Sequence, residues 1–269
     1  MCFKPLILLL LPIACGCSSL TASGSYRDDI HERKFTLEKN NPQSYVNLAH
    51  SEYNLGNFQA AINYCNHALA LDSMFSDAFA LRGLSYIKLE EYQLAISDFN
   101  RAIEMDPDNF DAYLGRGLIR YNTGNLQDAF SDFETVIKIN PKSPDAYFGK
   151  CMYYFKMGNY QEALENCNMV ISLSPEDKGI YNTRALIYAN MGLYQDALES
   201  VNRSITMNPK EYNSYYLRSD IHRELNRYEE ALADINTAKK LSPQDETPYN
   251  IRVDTIMNVL NGRQNKHSE

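Results

Sequence analysis

Pro107, Pro141, Pro175, Pro209 and Pro243 stand 34 residues apart, each just after an apolar pattern of helical period. Proline cannot donate an N–H and its ring collides with the preceding turn, so a helix stops there. A fixed spacing of this size is the mark of one supersecondary unit repeated along the chain. Neither helix of such a unit can bury its apolar face alone, so neighbours must stack. Starting a unit three residues after each proline predicts six units, 42–75, 76–109, 110–143, 144–177, 178–211 and 212–245.

In that frame the columns agree. The fourth position is Tyr45, Phe79, Tyr113, Tyr147, Tyr181 and Tyr215, and the twentieth is Ala61, Ala95, Ala129, Ala163, Ala197 and Ala231. A ring on the first helix and an alanine on the second let the two approach closely. The fifteenth is Gly56, Gly124, Gly158, Gly192 and Asn226, residues that turn in the left-handed region without strain. Only Glu90 breaks that column. The runs Phe79–Gly83–Tyr86–Ala95–Phe99–Pro107 and Tyr181–Ala185–Tyr188–Ala197–Val201–Pro209 resemble the tetratricopeptide repeat. The resemblance covers residues 42–245 and implies an all-α, right-handed superhelical solenoid of six helical hairpins.

A solenoid needs its last apolar surface shielded. Thr247 and Pro248 open a further helix, Tyr249, Val253, Ile256 and Leu260 fall on one of its faces, and Gly262 is expected to close it. Residues 246–269 are thus read as a capping helix with a polar outer face, followed by a disordered tail. At the other end, residues 17–41 read as a tether and one helix over about 28–38, with Leu37 in the column of Met105, Ile139 and Leu173.

The first residues differ in kind. Lys4 precedes an apolar stretch, Leu6 to Ala14, broken by Pro12 and too short to cross a bilayer. Small residues and Cys17 follow. The stretch Ala14-Cys15-Gly16-Cys17-Ser18-Ser19 resembles a bacterial lipoprotein signal, with Ala14 where leucine is usual. That resemblance implies a signal peptide over 1–16, a lipid on Cys17, and, with Ser18 rather than aspartate next, an outer-membrane anchor facing the periplasm of a Gram-negative host.

The chemistry of the chain is read mostly by exclusion. Asp and Glu number 34 against 26 Lys and Arg, which opposes a nucleic-acid binder. There is no glycine-rich phosphate loop and no His-Glu-x-x-His, and the five histidines are scattered, so no metal, cofactor or enzyme activity is expected. Repeats fill nearly all the chain and leave no room for a separate catalytic domain. Cys65, Cys151 and Cys167 occupy small or apolar columns, which fits core packing. Cys151 and Cys167, eighth and twenty-fourth in one hairpin, are also a candidate disulfide if their Cα atoms come within bridging reach.

Two columns bear on binding. The seventh reads Leu48, Arg82, Arg116, Lys150, Arg184 and Arg218, continued by Arg252. These cations either pair with Asp98, Asp132 and Asp234 on second helices or clamp a carboxylate. The first helices, by resemblance, line the inner face. Leu84, Ile87, Leu118, Tyr121, Met152, Phe155 and Leu186 give it an apolar stripe, bordered by Lys88, Asn122, Lys156 and Asn190. Apolar surface of this kind marks a contact site, so a protein or peptide partner is expected in the groove. The architecture looks like that of envelope lipoproteins of the new lipoprotein I and pilotin kinds. An unlipidated soluble assembly chaperone is the alternative.

Overall fold

The computed structural model describes residues 41–244 and 246–266, with no side-chain description at 246–248 and 260–266. The expected signal peptide and tether, Cys17 and the helix expected over 28–38 lie outside the described residues. All regular structure among the described residues is helical, in thirteen helices. The first helices of the repeats are α1 (Pro42–Asn54), α3 (Ser76–Lys88), α5 (Phe110–Asn122), α7 (Pro144–Lys156), α9 (Lys178–Asn190) and α11 (Tyr212–Glu224). The second helices are α2 (Phe58–Leu71), α4 (Tyr92–Met105), α6 (Leu126–Ile139), α8 (Tyr160–Leu173), α10 (Tyr194–Met207) and α12 (Tyr228–Leu241). A last helix, α13, spans Glu246–Lys266. It runs past Gly262 instead of closing there. A single glycine costs an α-helix only ~1 kcal/mol, too little to end one by itself. The outer face expected to be polar also exposes Ile251, Met257 and Val259.

The chain forms two compact units, divided inside α7 between Tyr153 and Tyr154. In the first, α1/α2, α3/α4 and α5/α6 are hairpins, with α2 against α3 and α4 against α5. In the second, α9/α10 and α11/α12 are hairpins, with α8 against α9, α10 against α11, and α13 on α12.

Ring and glycine fit one another in the first unit. Phe99 and Phe133 of the second helices are wholly buried. A Cβ at Gly83 or Gly115 would collide with the Phe99 ring, and one at Gly117 or Gly149 with the Phe133 ring. Each ring therefore lies between a glycine of its own hairpin and a glycine of the following first helix. Where the same column holds a smaller residue, larger ones flank it. Cys65 packs with Ala49 and Leu81, and Val201 with Ala185 and Leu217. The core keeps its volume while its sequence varies.

The turn inside each hairpin takes one left-handed residue. Gly56, Gly124, Gly158 and Gly192 have φ of 80°, 87°, 79° and 76°, and Asn226 has 60°. Glu90 adopts φ 62° as well, so the hairpin geometry overrides the side chain. That backbone costs an L-residue ~1–2 kcal/mol, part of which glycine returns as extra freedom of the unfolded chain. Glu90→Gly is therefore expected to raise stability by about 0.5 kcal/mol, read as a small upward shift of the urea midpoint. A downward shift would show that Glu90 makes a compensating contact.

Candidate functional site

The seventh column is internal to the stack. In the first unit Arg82 grips Asp98 with two bonds of 2.7 Å and also donates to Asn66. Arg116 grips Asp132 at 3.1 and 2.8 Å and donates to Asn100 at 2.7 Å. Lys150 reaches Glu134 at 3.3 Å. In the second unit Arg218 holds Asp234 and Asn202, and Arg184 holds Ser200 and Asn168. The arginines thus bond 16 residues forward to their own second helix and 16 back to the preceding one. Each arginine also lies over the ring three residues before it, Arg82 over Phe79 at 5.4 Å and Arg218 over Tyr215 at 5.5 Å. The guanidinium is spent on packing three helices together. The repeat-long clamp for a carboxylate is thereby replaced by an internal brace.

The first-helix face divides by unit. In the first unit Leu84, Ile87, Lys88, Leu118 and Met152 are half-buried, and Asn122 is exposed. Leu84 and Ile87 lean on the core around Phe99. Tyr121 departs from the expected stripe. It is only 8% exposed, and its hydroxyl donates to the Met152 carbonyl at 3.3 Å, tying α5 to α7. It is a packing residue here, and burial pushes its hydroxyl above the ordinary pKa. Asp111 lies on the first helix of the third repeat. It is exposed, yet enough protein surrounds it that desolvation raises its carboxyl pKa, with His50 opposing and Asp77 adding to the shift.

In the second unit Phe155 is half-buried, its ring 5.7 Å from that of Tyr160, and Lys156 is exposed. Leu186 and Asn190 are half-buried, but the Asn190 amide donates to the Leu186 carbonyl at 2.8 Å, back along its own helix. Asn182, which the stripe did not include, donates to Ser214 at 2.7 Å and keeps a buried amide oxygen without a partner. Its sequence signal was one amide in a column otherwise formed by Val46, Ala80, Leu114, Phe148 and Tyr216. Asp220 ends this face as a charged group, accepting from Arg252 at 2.8 Å and Arg223 at 3.3 Å.

Cys65, Cys151 and Cys167 are all buried. Burial pushes the Cys65 thiol up to about 12, and the Cys167 thiol lies 3.7 Å from the Ile180 carbonyl. Among the described residues no group of His, Cys, Asp and Glu could hold a metal ion, and no helix is long and apolar enough to cross a membrane.

The tetratricopeptide repeat profile matches residues 46–109, 80–144 and 182–246, and a second profile of the same repeat matches 144–177. The chain belongs to the tetratricopeptide repeat family. Its stacked hairpins are the protein-interaction scaffold of that family, a fold that typically carries no catalytic chemistry. No curated protein matches the chain significantly in sequence. Among solved structures it is similar to a chain of the Cut9–Hcn1 hetero-tetramer of the APC/C, with TM-score 0.73 at 14% identity. That match takes in 85% of this chain but only 44% of the other. It is also similar to PilF of Pseudomonas aeruginosa, with TM-score 0.70 at 16% identity over 79% of this chain and 97% of that one. A third is YrrB, described as a tetratricopeptide repeat protein with an unusual peptide-binding site. There the TM-score is 0.58 at 16% identity, over 70% and 97% of the two chains. These likenesses describe the fold.

Proposed function

We propose that this tetratricopeptide protein is an envelope adaptor that holds an extended segment of a partner protein against its first helices, anchored by a lipid on Cys17. The observation that carries the binding reading is the half-buried apolar row Leu84, Ile87 and Leu118 on first helices of the first unit, with exposed Asp111 and Asn122 beside it. An apolar row with a polar rim suits a peptide that buries alternate side chains and satisfies its backbone at the edges. Support for the anchor comes from the motif around Cys17 alone.

The test starts from partners captured on the immobilised Cys17→Ser protein from detergent-solubilised envelope, followed by titration of the purified partner. Leu118→Ala and Met152→Ala are expected to weaken binding about tenfold or more, since a lost anchor is commonly worth over ~1.4 kcal/mol. Asn122→Ala acts in the same direction. Unchanged affinity in all three, with helicity intact, moves the site to another face. Mass spectrometry of the membrane-extracted protein checks the anchor separately. An acylated Cys17 at the mature N-terminus is expected, and an intact Met1 sinks the anchor and leaves the soluble chaperone.

A further inference from the structure

The eleventh column of the repeat reads Glu52, Tyr86, Arg120, Tyr154, Tyr188 and His222. It lies one helical turn beyond the bracing arginine, so its side chain can reach the same carboxylate on the second helix. In the third repeat it does, Arg120 donating to Asp132 at 2.7 Å beside Arg116. In the sixth, His222 stands in that place with a shorter arm. Its Nε2 stops 3.8 Å from Asp234 Oδ2, beyond hydrogen-bond length. Arg218 already holds both Asp234 oxygens, at 2.6 and 2.8 Å. The His222 side chain is 13% exposed, and its other nitrogen, Nδ1, is buried with no hydrogen-bond partner among the described residues. A neutral imidazole has one donor and one acceptor, whereas an imidazolium has two donors and a full charge. Protonated, His222 would hold an Nδ1–H inside the protein with nothing to receive it, a costly arrangement. The charges that act on the ring are Asp234 and Glu230 of α12, Arg227 of the turn before α12, and Arg218 of its own helix, two of each sign. The packed faces of α9 and α10 bring Ala185, Leu198 and Val201, clustered with Ile221, and the α13 cation Arg252 is bound to Asp220. Burial therefore prevails and holds the imidazole pKa below its ordinary value.

We propose that His222 is an acid-released latch between α11 and α12, closed while its buried ring is neutral and opened when the ring takes a proton. The imidazolium gains its missing acceptors only in water, so protonation draws the ring out and parts the hairpin. Helix α13 rests on both members of that hairpin, through Arg252 on Asp220 of α11 and through Ile256 with Ile235 and Ala238 of α12. Opening the latch thus also loosens α13 and bares the apolar face of α12. The folded state favours the neutral ring, so the stability at stake is whole above about pH 6.5, the ordinary histidine value, and is lost as pH falls below it.

Hydrogen exchange of the full chain in detergent, read by mass spectrometry at about pH 7.5 and about pH 5.5 and corrected for intrinsic rates, tests the latch. Protection of the α11 and α12 peptides is expected to fall several-fold, the ceiling being about tenfold one pH unit below the ordinary histidine value. The α3–α4 hairpin carries the same brace in Arg82 and Asp98 but Tyr86 in place of the histidine, and its protection should hold. His222→Tyr, which installs the residue of three other repeats, should abolish the fall, and so should His222→Gln. In the histidine-labelled wild type, the imidazole resonance that either variant loses should titrate with a midpoint below about 6.5. A fall in protection that is absent from α11 and α12, equal in the α3–α4 hairpin, or retained in the variants overturns the proposal. A His222 midpoint at or above the ordinary histidine value overturns it as well.

Discussion

Phe133→Ala is expected to cost ~3–5 kcal/mol, the range for emptying a buried aromatic site that cannot collapse. The site cannot collapse because both walls are backbone. Gly117 of α5 and Gly149 of α7 approach the ring so closely that neither can carry a Cβ. When the ring leaves, no side chain stands ready to fill the void. Phe99 between Gly83 and Gly115 should behave alike. The reverse change, Gly149→Ala, forces a methyl into the ring and should cost ~1–3 kcal/mol by overpacking. The natural compensation is visible at Val201, flanked by Ala185 and Leu217. Rebuilding it as Phe99→Val with Gly83→Ala and Gly115→Leu should recover most of the loss that Phe99→Val alone incurs. Urea unfolding followed by circular dichroism measures each step. A loss below ~1 kcal/mol for Phe133→Ala would mean that the hairpins close over the cavity, and would refute the rigid-wall account.

Asp132→Ala should be the costliest charge substitution in the chain, also at ~3–5 kcal/mol. Asp132 is 3% exposed and is the shared acceptor of Arg116 and Arg120, whose bonds to it are 2.8 and 2.7 Å. Removing the carboxylate leaves two cations facing each other, and the Arg116 side chain is only 14% exposed. It also cuts the brace that joins α4, α5 and α6 through Asn100 and Arg116. Asp132→Asn keeps the shape and one acceptor and should cost less. Arg101–Glu104 is the control, an i,i+3 pair with both side chains more than half exposed. Glu104→Ala is expected to change stability by less than ~0.5 kcal/mol, as solvent-screened pairs do. Equal effects of Asp132→Ala and Glu104→Ala in urea unfolding would refute the brace.

The periodic residues made the repeats legible before any coordinate was known. Tyr45 and its successors, Ala61 and its successors, and the prolines mark positions where each hairpin meets the same steric demand, so the demand repeats in sequence. Glu90 was legible only as an exception, because the backbone it adopts is dictated by the hairpin and not by its own preference. The binding face was harder. Leu84, Tyr121 and Asn190 lie in columns that line the inner face, but which of them meets water depends on neighbours contributed by other helices. Tyr121 became a packing residue because the Met152 carbonyl of α7 accepts its proton. Asn190 turns one amide N–H back to the Leu186 carbonyl of its own helix.

By itself, the sequence determined the unit, its length and the helical class, since local sterics and burial recur every 34 residues. Only the tertiary structure decided what the arginine column is for. A guanidinium reads the same whether it awaits a ligand or braces a core, and its partners, 16 residues to either side, meet it only once three helices have packed. The open face of α13 was hidden for the same reason. Exposure belongs to the packed whole, and Ile251 and Val259 stand exposed while their sequence pattern stays that of a cap.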